Sequence, residues 1–362
     1  MQRVLLVAVA TREAEYPSHG LTPQEGEEAL LAVRDLSVDF VSVDGRVRVL
    51  SNIALTVKRG EVVGIVGESG SGKTTLGLAI LGLLDSPPAE IVGGSIFLEG
   101  RDLLKLGPAE MTRVRGTGIN MVFQEPLDSL NPVYRIQSQI EESVMVQKKR
   151  TPSEPGKDKE SDSRMMTDLL RDLCIDRPEE VLERYPHELS GGMRQRVALS
   201  MSIIEKPKLL IADEPTTGLD AYVQNRILGM LSDLRKSGGT LLYITHDLTV
   251  ASQVCDRLYI LYAGRIMEAG NTRKVLEESL HPYTHTLIAS VPEGFEDSPA
   301  LPVQLGEPPN LANLPLGCKF NPRCRFVKEV CRRDEPQLME VSKGRLVACW
   351  KVGGQDGEYN RD

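Results

Sequence analysis

Residues 61–82 read EVVGIVGESGSGKTTLGLAILG. A short run of β-branched and apolar residues meets a glycine-rich loop, and an apolar helical pattern follows at once. The loop fits G-x-x-x-x-G-K-[ST] with Gly67, Gly72, Lys73 and Thr74. This context leaves little choice of fold, because a buried strand must feed directly into the N-terminus of a helix. Glycines let successive backbone N–H groups turn inward toward phosphate oxygens. The helix end adds positive potential. The candidate cradle is Gly67, Glu68, Ser69, Gly70, Ser71, Gly72, Lys73, Thr74 and Thr75. Lys73 reaches the β- and γ-phosphates in such a loop, and the Thr74 hydroxyl suits Mg²⁺.

LLIADEP at residues 209–215 supplies a complement. Four apolar residues predict a buried strand that delivers Asp213 at its end, where a carboxylate holds the shell of Mg²⁺. Glu214 follows, placed to polarise an attacking water. A nucleoside triphosphate is therefore expected both to bind and to be hydrolysed.

A second anion site is written into ELSGGMRQR at residues 188–196. Met193, Val197, Met201 and Ile204 recur at helical spacing, so Ser190, Gly191 and Gly192 fall at a helix N-terminus. One molecule has no use for two such sites. A head-to-tail pair does, since each copy's helix end covers the γ-phosphate held by the other.

Around these motifs the chain alternates strand and helix, which implies a largely parallel sheet with helices on its faces. VSVDGRVRVL at residues 41–50 predicts a hairpin through an Asp-Gly turn. Residues 128–188 are helical in pattern. Within them, QKKRTPSEPGKDKESDSR at 147–164 has no large apolar residue and reads as a solvated or disordered loop. After about residue 280 a proline-rich stretch reads as a small irregular unit. Cys174 and Cys255 stand alone and read as core residues. The first 28 residues read as an extension; their apolar run is short for a signal peptide, and no run approaches the ~20 residues of a membrane span. The net charge of −8 argues against a nucleic-acid partner.

Six spaced motifs, GESGSGKTT, VFQEP, LSGGM, LLIADEP, TGLD and ITHD, occur in the order seen in the ATP-binding cassette (ABC) family, which the chain resembles from about residue 31 to 274. The resemblance implies an α/β P-loop NTPase with a β-subdomain and a helical subdomain. The nucleotide-binding domain is expected over 29–275, its helical part over about 128–190, and a Cys-containing C-terminal region over 276–362. By position, Gln124 resembles the glutamine that senses Mg²⁺ and the attacking water, Asp220 the aspartate that links the two sites, and His246 the histidine that contacts the γ-phosphate. Lys73, Gln124, Glu214 and His246 are thus the catalytic set, with Thr74, Gln124 and Asp213 around Mg²⁺. Phe40 is the candidate for stacking on adenine, with a core phenylalanine as the alternative. Met193 departs from the family's usual Gln.

EPLDSLNPVYRI, HPYTHTLIASVP and GEPPNL…PLGCKFNPRC resemble the oligopeptide/dipeptide importer ATPases. This branch implies a peripheral subunit on the cytoplasmic face of a cell membrane. It works with two transmembrane permeases, an external binding protein, and a second ATPase as heterodimer or homodimer. Nickel, oligosaccharides and antimicrobial peptides are alternative cargoes. A cassette ATPase acting on DNA or the ribosome is a further alternative, disfavoured by the single cassette and acidic balance. Cys318, Cys324, Cys331 and Cys349 suit a tetrahedral zinc or an iron–sulfur cluster. Short C-x₂-C pairs are absent, and the branch resemblance points to 4Fe–4S.

Overall fold

The computed structural model describes residues 29–43, 45–124, 130–150, 159–204, 206–236, 238–291, 306–307 and 309–352. The N-terminal extension, part of EPLDSL and the centre of the polar insert lie outside them. Among the described residues, twelve strands form two sheets. Strands β1 (Ala29–Ser42), β2 (Gly45–Lys58), β4 (Ala89–Leu98) and β5 (Arg101–Asp102) make an antiparallel sheet in the order β2-β1-β4-β5. The expected hairpin is its first pair, closing at Ser42 opposite Gly45.

The second sheet has eight strands in the order β11-β12-β10-β9-β3-β8-β7-β6. Its parallel part is β6 (Ile119–Val122), β7 (Leu209–Asp213), β8 (Thr240–Thr245), β3 (Val62–Val66) and β9 (Arg257–Tyr262). Every residue of β3, β7 and β8 is buried. That is why these strands read as continuous apolar runs rather than alternating ones: both faces are covered. In such a sheet, loops at the carboxyl ends of the strands form the binding crevice. The residues just beyond β3, β6, β7 and β8 are Gly67, Phe123–Gln124, Glu214 and His246.

A separate apolar cluster joins the helices Ile136–Arg150, Lys159–Asp172, Pro178–Leu182 and Gly191–Ile204 through Ile136, Ile140, Met166, Leu170, Val181 and Val197. The polar insert differs from its expected loop. Residues 147–150 continue one helix and 159–164 begin the next. Gln, Lys, Glu and Arg are good helix formers without an apolar face, so intrinsic propensity extends both helices where periodicity gave no sign.

The C-terminal region is irregular over most of its described length, but it is not separate from the core. Strands β11 (Met339–Ser342) and β12 (Arg345–Val347) pair antiparallel, and β12 adds to β10 (Arg265–Asn271), lengthening the main sheet. Phe320 is 2% exposed and packs edge-on against Tyr262 and tilted against Tyr283, with centroids 5.4 Å away in each case. Cys255 is buried as expected, whereas Cys174 is only half-buried. Among the described residues no helix is long and apolar enough to cross a membrane.

Candidate nucleotide site

The loop after β3 is held in a shape only glycine permits at its ends. A Cβ on Gly67 would sit 2.1 Å from the Leu261 carbonyl oxygen, and Gly72 takes φ +102° against Leu50. The Gly264 N–H donates to the Ser71 carbonyl at 2.9 Å, fastening the loop to the β9–β10 turn. The helix Lys73–Leu81 starts immediately after it. Lys73 is buried, and its ammonium donates to the carbonyls of Gly67 (2.8 Å) and Glu68 (3.0 Å). Burial lowers its pKa, while Glu214, Asp213 and Glu68 oppose that shift. Ser69, Gly70 and Thr74 are exposed and Thr75 is half-buried, so the outer side of the loop faces solvent.

Asp213 ends β7 and is 1% exposed, yet neither carboxylate oxygen has a hydrogen-bond partner within normal reach. Burial pushes its pKa up; the Thr74 hydroxyl is the largest influence in the other direction. An orphaned buried carboxylate facing a hydroxyl at the phosphate loop is a fitting donor set for a hard divalent cation such as Mg²⁺.

Glu214 follows with φ +47°, a conformation that costs a non-glycine residue energy and is sustained at functional sites. Its Oε1 is 2.9 Å from Nδ1 of His246. Its Oε2 accepts from Gln124 Nε2 at 3.2 Å and Thr217 Oγ1 at 3.0 Å. Glu214, His246 and Gln124, picked out separately in the sequence, thus form one constellation at the ends of three strands. Thr217 was not among them, although it opens the TGLD motif three residues beyond Glu214.

The helix Gly191–Ile204 presents its N-terminus outward. Ser190 and Gly191 are exposed, and Ser190 Oγ accepts from the Met193 N–H at 3.3 Å, capping it. Asp220 is also exposed and caps the helix Ala221–Lys236 through the Val223 N–H at 3.0 Å. Neither belongs to this chain's own Glu214 constellation. Gln195, which sequence reading passed over, is buried and donates to the carbonyls of Pro215 (2.9 Å) and Glu214 (3.4 Å). It joins the outward-facing helix to the loop bearing Glu214. Phe40 is half-buried and packs against the core beneath the antiparallel sheet.

The four C-terminal cysteines, together with His281, Phe320 and Trp350, line one small cavity. All six cysteines are free thiols. Burial pushes Cys318 up to about 12, and it raises Cys324 and Cys349 as well. Among the described residues, no three His, Cys, Asp or Glu side chains close up around a point that suits a single metal ion.

A strand–loop–helix phosphate cradle, a buried carboxylate, a strained Glu bonded to His and Gln, and an outward-facing Ser-Gly-Gly helix define an ATP-binding cassette ATPase. The comparisons agree. Residues 50–217 match the family described as ABC transporter, and 267–331 match the oligopeptide/dipeptide transporter C-terminal region. The chain is 41% identical over 329 residues to the oligopeptide transport ATP-binding protein OppD of Escherichia coli, covering 91% of this chain and 95% of that protein. It is 39% identical over 322 residues to the dipeptide transport ATP-binding protein DppD of the same organism, covering 89% and 96%. A dimeric ATP-binding cassette solved in a post-hydrolysis state with ADP and phosphate superposes with a TM-score of 0.58 at 27% identity, covering 67% of this chain and 99% of that one. The chain belongs to the family of oligopeptide and dipeptide transport ATP-binding proteins.

Proposed function

We propose that the chain is the ATP-hydrolysing subunit that drives a peptide importer. The observation that carries this is the Glu214 constellation beside the phosphate loop, in a chain matched along its length by peptide-transport ATPases. The backbone of residues 67–75 and Lys73 bind the triphosphate. Thr74 and Asp213, with Gln124 nearby, would hold Mg²⁺, which when bound neutralises charge on the β- and γ-phosphates. Glu214 accepts the proton of the attacking water. His246 orients that carboxylate and meets the γ-phosphate, and Gln124 reports its presence to the helical region. Phe40 stacks on adenine.

Ser190, Gly191 and Gly192 complete the site of a second ATPase copy, with Asp220 at the seam. The exposure of Ser190, Gly191 and Asp220 in a lone chain supports this, as does the dimeric cassette of the same fold. Two permeases receive the motion from the helical region, an external binding protein delivers the peptide, and the chain sits on the cytoplasmic face of the membrane. The nucleotide-binding unit is residues 29–275, with 276–362 as the C-terminal unit.

The four-thiol cavity is the place for a 4Fe–4S cluster, with zinc as the alternative. All four thiols line one shared cavity, and four thiolates are the ligand set such a cluster takes. Buried thiols such as Cys318 keep their protons unless a cation is present, so loading and deprotonation go together. Anaerobically purified protein should be brown with about four irons per chain; colourless protein with zinc would contradict this.

Purification of the chain with its bound partners from native membranes in mild detergent tests the transport reading. Two permeases and a second, similar ATPase are expected. Nucleic acid or ribosomes without membrane proteins would favour the non-transport alternative.

A further inference from the structure

We propose that Arg323 is a positioning residue for the ATP site, holding and neutralising the Glu68 carboxylate inside the phosphate loop and thereby tying the four-thiol region to nucleotide affinity. The proposal rests on the reading of residues 67–75 as the ATP cradle.

Arg323 and Glu68 are 255 positions apart. The guanidinium grips the carboxylate with both arms: Nη1 donates to Oε2 at 2.9 Å and Nη2 to Oε1 at 3.0 Å. The side chains are 5% and 16% exposed, so water screens the pair poorly. A second tether runs beside it, as the Glu68 N–H donates to the Tyr283 hydroxyl at 3.0 Å. Arg323 also donates to the Tyr262 hydroxyl at 3.3 Å. The C-terminal region therefore holds this loop residue by both its side chain and its backbone.

Glu68 is an awkward residue for a loop that binds a polyanion. Its carbonyl already receives the Lys73 ammonium, and an unpaired carboxylate on the same residue would repel the triphosphate. Arg323 cancels that charge and aims it toward the C-terminal region. The position of Arg323 is in turn set by the thiol region. It ends the turn Asn321–Arg323, just before Cys324. Asn321 Nδ2 donates to the carbonyls of Leu316 (2.7 Å) and Cys331 (3.3 Å), and the Cys318 N–H donates to the Cys331 carbonyl at 2.9 Å. A disturbance around the four thiols reaches the phosphate loop through this one side chain.

The test is equilibrium binding of a fluorescent ATP analogue with Mg²⁺ to the full chain, comparing wild type with Arg323→Gln, Arg323→Lys, Glu68→Gln/Arg323→Gln and Lys73→Ala. Arg323→Gln should weaken binding roughly tenfold, within the range for coupled neighbours. Lysine, which keeps the charge but not the fork, should fall between. Adding Glu68→Gln to Arg323→Gln removes the stranded charge and should recover roughly threefold of the loss. Wild-type affinity in Arg323→Gln, or a double variant no better than the single, would overturn the proposal by reducing Arg323 to a brace of the fold. Should Arg323→Gln not fold, wild-type affinity in Arg323→Lys overturns it equally. Undiminished binding in Lys73→Ala would instead overturn the ATP cradle itself, and the proposal with it.

Discussion

Nδ1 of His246 lies 2.9 Å from Oε1 of Glu214, across the ends of two neighbouring parallel strands. The carboxylate's other oxygen is held by Gln124 and Thr217. Glu214 is thus oriented on both sides while its backbone sits in the left-handed region at φ +47°.

Replacing Glu214 by Gln keeps the shape and removes the base. Hydrolysis should fall by about 10²- to 10⁴-fold with ATP affinity retained, and the ATP-bound protein should sediment as a dimer. Near wild-type turnover would take Glu214 out of the base role.

Gln195 connects the exposed Ser-Gly-Gly helix to the backbone of Glu214 and Pro215. Gln195→Ala leaves two buried carbonyls without this donor, at a cost of about 1–3 kcal/mol. The expected outcome is a lower denaturation midpoint, together with hydrolysis reduced more than ATP binding. Equal losses in binding and turnover would mean that the contact only braces the core.

His281 is buried, and its Nδ1 accepts the Tyr283 N–H at 3.0 Å, capping the helix Pro282–Ala289. Burial, aided by His285, lowers its pKa from 6.5 to about 3. The unfolded chain takes up this proton below pH 6.5 while the folded one does not, so stability is lost as pH falls from 6.5 toward 3. One such group accounts for about 2 kcal/mol by pH 5. His285, also lowered by burial, acts in the same direction. His281→Asn keeps a capping side chain and should flatten the pH dependence of urea unfolding between about pH 7 and 5, a range that spans the ordinary histidine pKa of about 6.5. An unchanged pH dependence would remove His281 from this role.

Glu268 and Arg345 form a buried pair at 2.5 Å, with side chains 0% and 6% exposed. Glu268 also accepts the N–H groups of Leu280 and His281 at 2.8 and 3.1 Å. Arg345→Leu strands that carboxylate and should destabilise the fold by about 3–5 kcal/mol, which calorimetry would register. Adding Glu268→Gln should recover part of the loss. A single variant as stable as wild type would show that β12 is not held through this pair.

The site was legible wherever function demands a local pattern. Gly67 and Gly72 announce their loop because close backbone approach and positive φ admit nothing else. Asp213 announces itself by ending a wholly buried strand, and Glu214 by following it. Contacts between distant segments left no such trace. Nothing local to Gln195 tells that it reaches Pro215, and nothing near Arg323 tells that it reaches Glu68. The helical ends of the polar insert were missed because propensity without an apolar stripe resembles a loop. Strands β11 and β12 were missed because each is short, and β11 is exposed throughout.

The most direct test of the central claim is uptake of a labelled peptide into vesicles that hold the assembled complex, with ATP supplied on the side of this subunit. Accumulation that requires ATP, and that ceases with Glu214→Gln while ATP still binds, is the expected result. Peptide uptake that continues at the wild-type rate with Glu214→Gln, or ATP hydrolysis with no peptide movement, would contradict it.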